Sequence, residues 1–241
     1  MSKLTEKIVY IAGGTGNVGE GIVRAFLKAG AIVITSSRHE SSLDKLRELL
    51  KDTDTEKLTM LTADLGDLAS AERLRDKILS EFSRLDGVVA SIGGTWKRNV
   101  PLTEVSMDEW QQFLFTNQTT HFVTAKTFLP VLAKTKGSSY TFLGGGAAIQ
   151  AIPNYSVVAI PAAAQLMMAK VVMQEMADSG VRINQVIANS LVNTRASKDK
   201  AEPNWLTADE IGEYLVWLAS DEGQVANGTI PILQKEVNPF S

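Results

Sequence analysis

No cysteine occurs in the 241 residues, and the only imidazoles are His39 and His121. The first absence excludes disulfides, zinc–thiolate sites and thiol nucleophiles, and the scarcity of histidine leaves little to hold a metal, so no metal site is expected. Charge of either sign is not in excess: 24 basic against 27 acidic residues give a net charge of −3, with no Lys/Arg-rich run. Neither nucleic acid nor an anionic membrane surface is an expected partner. No apolar run reaches the roughly 18 residues of a membrane span, and Met1–Lys7 lacks the apolar core of a signal peptide, which predicts cytoplasmic residence. What remains, 44% hydrophobic and 21% charged residues, predicts a single globular domain over 1–241.

Glycine, by contrast, is concentrated where it carries chemistry. Ile8–Ala12 is an apolar run, Gly14, Gly16 and Gly19 then satisfy G-x-G-x-x-G, and Val18, Ile22 and Phe26 resume at helical spacing. The order strand, tight turn, helix start is the context in which this motif binds a dinucleotide: backbone without Cβ atoms approaches a pyrophosphate, and the helix N-terminus aims free N–H groups at its charge. Gly13, Thr15, Gly16, Asn17, Val18 and Gly19 are therefore candidate cofactor contacts, the alternative being a glycine-rich turn that binds nothing.

The second strand, Ile32–Thr35, ends in Ser37-Arg38. An acid at this place in a βαβ unit binds the 2′-hydroxyl of NAD, whereas an Arg favours the 2′-phosphate of NADP. Ser37 and Arg38 predict NADP (NADPH), and Glu40 is the only nearby feature favouring NAD. A solvated surface cation is the alternative for Arg38. Further on, helical patterns over 41–50, 67–83, from 107 to about 134, to about 178 and over 207–220 alternate with apolar runs at 58–62, 85–92, 139–143, 181–187 and 229–233. This alternation predicts a doubly wound α/β fold of about seven parallel strands with helices on both faces. The crevice then lies at the carboxyl ends of the strands, where Gly13–Gly19, Arg38, Asp64 and Ser91–Gly94 fall.

The layout resembles the short-chain dehydrogenase/reductase family, in its single-domain subgroup of about 250 residues. The carriers of the resemblance are the glycine turn, Ala63-Asp64-Leu65, Ala90-Ser91-Ile92-Gly93-Gly94, Asn117, Gly180-Val181-Arg182-Ile183-Asn184, Thr194 and the run from Glu210-Ile211 through Leu218-Ala219-Ser220-Asp221. It implies a nicotinamide dinucleotide held also by Asp64, Leu65, Ser91, Gly93 and Thr194, a homodimer or homotetramer, and a small-molecule substrate. Asn17 stands where the subgroup has its middle glycine, a place where Asn tolerates left-handed geometry.

Family members reduce carbonyls with a Ser, a Tyr and a Lys four residues after the Tyr. Counting back from Gly180–Asn184 puts the Tyr at Val158, the Lys at Ala162 and the Ser at Gly144 or Gly145. None of these residues can move a proton. Tyr155 has Ala159 four residues on, and Lys170 follows about four helical turns later. Three readings stand. In one, Tyr155, with Asn117 and the pocket-lining possibilities Trp96, Lys97 and Arg98, takes over catalysis. In another, the chain binds dinucleotide without turnover. In the third, hydride passes to an activated acceptor such as an iminium that needs no acid. For Tyr155 the alternative is a loop aromatic packed beside Pro153. The Ala, Val and Met of the helix after Tyr155 suit either a core helix or a two-fold interface. The tail from Gln234 to Phe240 departs from the family's usual Asp-Gly-Gly and could cover part of the pocket.

Overall fold

The computed structural model describes residues 3–94 and 98–235. Trp96, Lys97 and the tail beyond residue 235 lie outside the described residues. Elements β1 (Ile8–Ala12), α1 (Gly19–Lys28), β2 (Ile32–Ser37), α2 (Glu40–Leu49), β3 (Leu58–Thr62), α3 (Leu68–Phe82) and β4 (Gly87–Ala90) form the first half. The second half comprises α4 (Met107–Leu114), α5 (Thr120–Leu132), β5 (Ser139–Gly145), α6 (Ser156–Glu175), β6 (Arg182–Ala188), β7 (Val192–Asn193), β8 (Leu206–Thr207), α7 (Ala208–Ala219) and β9 (Ile232–Leu233). The strands of the main sheet run in the order β3-β2-β1-β4-β5-β6-β9, all parallel, and β7–β8 form a separate parallel pair. The predicted seven-stranded doubly wound sheet is thus the observed one.

Burial on both faces explains why the strands read as unbroken apolar runs. Along β1, Ile8, Tyr10 and Ala12 pack with α3, α5 and α6, while Val9 and Ile11 pack with α1, α2 and α7. Ile22 and Phe26, the residues that signalled α1, are fully buried. The predicted start of α7 is a complete capping box, with Thr207 Oγ1 accepting from the Glu210 N–H and the Glu210 carboxylate accepting from the Thr207 N–H. An ion pair between Arg24 and Asp209 ties α1 to α7.

Some boundaries differ from the sequence pattern. The polar stretch after β6 contains the β7–β8 pair, which draws residues 189–207 back across the strand ends. Between α4 and α5 the helix widens into a π-turn over Phe115–Thr119, where Thr116 and Thr120 hydroxyls donate to carbonyls four residues back. Asn17 does not use left-handed geometry; Gly13 does, at φ 84°, because a Cβ there would run into the Ser91 carbonyl of the neighbouring strand end. Helix α6 is, by length and composition, apolar enough to cross a membrane, which the sequence reading did not anticipate, since Gln165, Lys170 and Gln174 interrupt it. It packs against β5, β6 and α4 and leaves its other side open, with 28% of its apolar window buried.

Buried Arg182 at the start of β6 donates to the carbonyls of Leu218 (2.6 Å), Ala219 (2.9 Å) and Ser220 (3.2 Å), satisfying the carboxyl end of α7. Replacing it, Arg182→Met, is expected to destabilise the protein by about 2–4 kcal/mol, because buried acceptors lose their donor. The urea midpoint measures this, and a loss below about 0.5 kcal/mol would contradict the role.

Candidate functional site

Strand order reverses between β1 and β4, whose onward connections leave in opposite directions, so a crevice opens at their carboxyl ends. The crevice is a cleft of about 700 Å³ lined by the turn Gly16–Gly19, by Ser91–Gly94 after β4, by Gly144–Gly146 at the end of β5, and by residues from α6 and the loop after β6.

On the turn side, α1 begins at Gly19, and its N-cap Val18 supplies no side-chain cap. Gly16 N–H donates to Gly13, but among the described residues the N–H groups of Asn17 and Val18 make no backbone hydrogen bond. An uncapped N-terminus facing a cleft is a receptor for an anionic group, so the residues present fit a pyrophosphate. Arg195, after β7, closes this end: it pairs with buried Glu20 at 3.0 Å and donates to Asn17 Oδ1 at 3.3 Å, pinning the loop to α1. No motif flagged Arg195 or Glu20, because their contact spans 175 residues of chain.

The predicted site residues separate into two groups. Gly16, Asn17, Val18, Gly19, Ser91, Gly93, Asn117, Tyr155 and Thr194 line the cleft, as do Gly144, Val158 and Ala162. Gly13 and Thr15 belong to the same turn but do not line the cleft. Ser37, Arg38, Asp64 and Leu65 lie beyond the cleft lining, at the ends of the adjacent strands β2 and β3. There Arg38 is exposed, with no hydrogen-bond or ionic partner among the described residues, while Glu40 accepts from the Thr62 hydroxyl at 2.9 Å. The Asp64 carboxylate accepts from Gly66 N–H, and the Leu65 side chain is buried in the core, so only its backbone is available to a ligand. Arg98 does not line the cleft: Glu109 holds it through two contacts of 2.7 and 2.9 Å. Carboxylate pairing turns that guanidinium away from the role the sequence suggested.

Asn117 sits in the π-turn with both ends of its amide engaged: Oδ1 accepts from Gly94 N–H (2.9 Å) and Nδ2 donates to the Phe113 carbonyl (3.0 Å). It fixes the loop after β4 rather than offering a free group. Beneath it lies a buried cluster that sequence reading missed. His121 donates from Nε2 to the Ile92 carbonyl at 2.9 Å, and Gln165 Nε2 donates to the Leu143 carbonyl at 3.2 Å while resting 3.4–3.5 Å from the imidazole nitrogens. A Cβ on Gly144 would stand 2.7 Å from Gln165 Oε1 and 2.8 Å from Gln185 Nε2, so two glutamine side chains fill the space beside that glycine. The available signal was a single Gln within the Ala/Met run of α6, at i+7 from Val158 and i+3 from Ala162. Among the described residues lining the cleft, only His121 and Tyr155 can titrate, and burial pushes His121 down to about 4.

A doubly wound α/β protein with a ligand cleft at its switch point is the class that fold and cleft define. A family model described as enoyl-(acyl carrier protein) reductase matches residues 13–233, and the chain belongs to the short-chain dehydrogenase/reductase family. It is 27% identical to a meso-2,3-butanediol dehydrogenase of Serratia marcescens, over 95% of this chain and 94% of that one. It is 25% identical to an uncharacterised oxidoreductase of Bacillus subtilis, over 94% of each chain. A crystal structure of a Burkholderia xenovorans protein described as a short-chain dehydrogenase/reductase superposes with a TM-score of 0.86 at 25% identity, covering 97% of both chains. Membership in this family implies a nicotinamide dinucleotide cofactor.

The folded protein keeps His121 neutral down to about pH 4, whereas an unfolded chain protonates it near 6.5. Between those values the unfolded state binds more protons, so stability should fall as pH drops from 6.5 toward 4, by on the order of 3 kcal/mol. Urea unfolding of the wild type and His121→Gln at pH 7 and 4.5 measures this. The variant should lose less, and equal losses would assign the dependence to other groups.

Proposed function

We propose that this protein binds NADP(H) in the cleft and acts as an oxidoreductase without the Ser–Tyr–Lys relay through which its relatives pass a proton. The observation that carries this reading is the wall opposite the glycine turn, where Gly144, Val158 and Ala162 line the cleft and no Lys, Arg, Asp or Glu does so among the described residues. In the register set by Gly180–Asn184 these are the family's Ser, Tyr and Lys positions. A relative named for acting on a diol, the meso-2,3-butanediol dehydrogenase, supports small-molecule oxidoreduction as the setting.

Gly16, Asn17, Val18 and Gly19 would hold the pyrophosphate through backbone N–H groups, and Ser91, Gly93 and Thr194 would border the nicotinamide end. Exposed Arg38 beside Ser37 supports a 2′-phosphate. When bound, the dinucleotide supplies or accepts hydride. For a carbonyl substrate the proton would come from Tyr155, the only phenol among the described residues of the cleft wall, whose nearest following lysine lies about 22 Å along α6. The absence of a lysine or arginine among the described residues lining the cleft favours a second reading, a dinucleotide-binding protein that does not turn over.

One domain over 1–241 carries both the dinucleotide and substrate sites in this reading, and its setting is the cytoplasm. The open side of α6 supports a homodimer or homotetramer. Phe122 and Met167, 53% and 57% exposed, flank an apolar groove of about 530 Å³ between α5 and α6 that a second copy could cover.

Arg38→Ala should weaken NADPH about 10- to 100-fold while changing NADH about two-fold or less, measured by fluorescence titration; equal effects would overturn the NADP assignment. For any aldehyde or ketone the protein reduces, Tyr155→Phe should lower kcat by about 10²-fold or more, and unchanged turnover would remove Tyr155 from the chemistry. Tight NADPH binding with no consumption across such a panel would establish the second reading.

A further inference from the structure

Three features of the cleft floor bear on what its ligand must look like. The first is Gln165, 3% exposed and lining the cleft. Its Nε2 is committed to the Leu143 carbonyl, which fixes the amide so that Oε1 is the end lying beside Gly144. Among the described residues no group donates to that oxygen. The floor therefore presents a lone pair where the family presents hydroxyl donors. The second is the absence of any lysine or arginine from the described cleft lining. The nearby guanidiniums are neutralised, Arg195 by Glu20 and Arg98 by Glu109, and His121 stays uncharged at neutral pH. The third is the neutral character of Gly144, Val158 and Ala162, which can neither give nor take a proton.

A carbonyl oxygen placed against Gln165 Oε1 would set lone pair against lone pair and leave a buried acceptor unpaired. An alcohol would satisfy the acceptor but needs a base to remove its proton on oxidation, and that wall has none. A nitrogen bearing hydrogen meets both conditions. We propose that the substrate of this cleft is an amine/iminium couple whose N–H donates to Gln165 Oε1. This rests on the NADP(H)-binding reading above, which names the reductant. In the reductive direction the iminium carbon gains the hydride, the C=N π pair returns to nitrogen as its lone pair, and the N–H proton stays in place. Atoms and charge then balance with no proton crossing the cleft. In this couple Gln165 is a specificity-determining residue, held by Leu143 and His121, and the missing acid is a consequence of the substrate rather than a defect.

The test compares ligands of one shape. With NADP⁺ present, calorimetry should show 1,2,3,4-tetrahydroisoquinoline binding about 10-fold more tightly than 1-tetralone, the gain of an N–H hydrogen bond over a repulsive contact. Gln165→Met, which keeps the length and removes the acceptor, should erase that preference and leave NADPH affinity within about two-fold. NADPH should be consumed with 3,4-dihydroisoquinoline and not with 1-tetralone. Equal affinity of the wild type for the two bicyclic ligands overturns the inference, a result that needs no variant to fold. Retention of the preference in Gln165→Met, or consumption of NADPH with the ketone alone, overturns it too. Failure of the wild type to bind NADPH overturns the reading beneath it as well, whereas NADPH binding without amine preference defeats this inference alone.

Discussion

Seven parallel strands buried on both faces can only be entered and left at their ends, and everything functional in this protein follows from where those exits fall. A parallel sheet satisfies its backbone internally, but the chain leaving β1 turns toward α1 on one face and the chain leaving β4 heads for α4 and α5 on the other. Between them lies the cleft, and among the described residues the N–H groups of Asn17 and Val18 beside it make no backbone hydrogen bond. Gly13 makes the closest approach possible there, its left-handed turn lying against the Ser91 carbonyl. The uncapped start of α1 is the electrostatic complement of that geometry.

Polar atoms around the cleft are accounted for with unusual economy. Asn117 spends its whole amide on Gly94 and Phe113, and His121 spends its N–H on Ile92. Arg195 and Arg98 are each held by a carboxylate. Among the described residues, the walls of the cavity carry backbone and amide groups, with His121 and Tyr155 the titratable side chains. Gln165 and Gln185 occupy the space beside Gly144, and a larger side chain at that glycine would collide with both. The space beside this glycine is thus filled by surrounding packing and is not a void.

The fold was legible because its signals are local. The β-branched runs, the glycine turn, the amphipathic period of α1 and the helical pattern over 207–220 all depend on residues a few positions apart, and each became the element it predicted. The loop after β6 and the π-turn at Asn117 were not legible, since one depends on a two-residue strand pair closed across the chain and the other on helix–loop hydrogen bonds. Likewise Arg98 reads as a free cation in sequence and is a paired one in space, because Glu109 reaches it from α4.

The sequence by itself determined the class of protein, the position of the glycine turn between β1 and α1, and the identity of Gly144, Val158 and Ala162, because those are matters of residue identity and short-range period. Only the tertiary structure decided what faces the cleft instead. Gln165 takes its place from distant groups, the Leu143 carbonyl that accepts from its Nε2 and the His121 ring beside it, which leave Oε1 on the side of Gly144. A hydrogen bond's direction is set by where its partners sit in space, and no pattern along the chain encodes that.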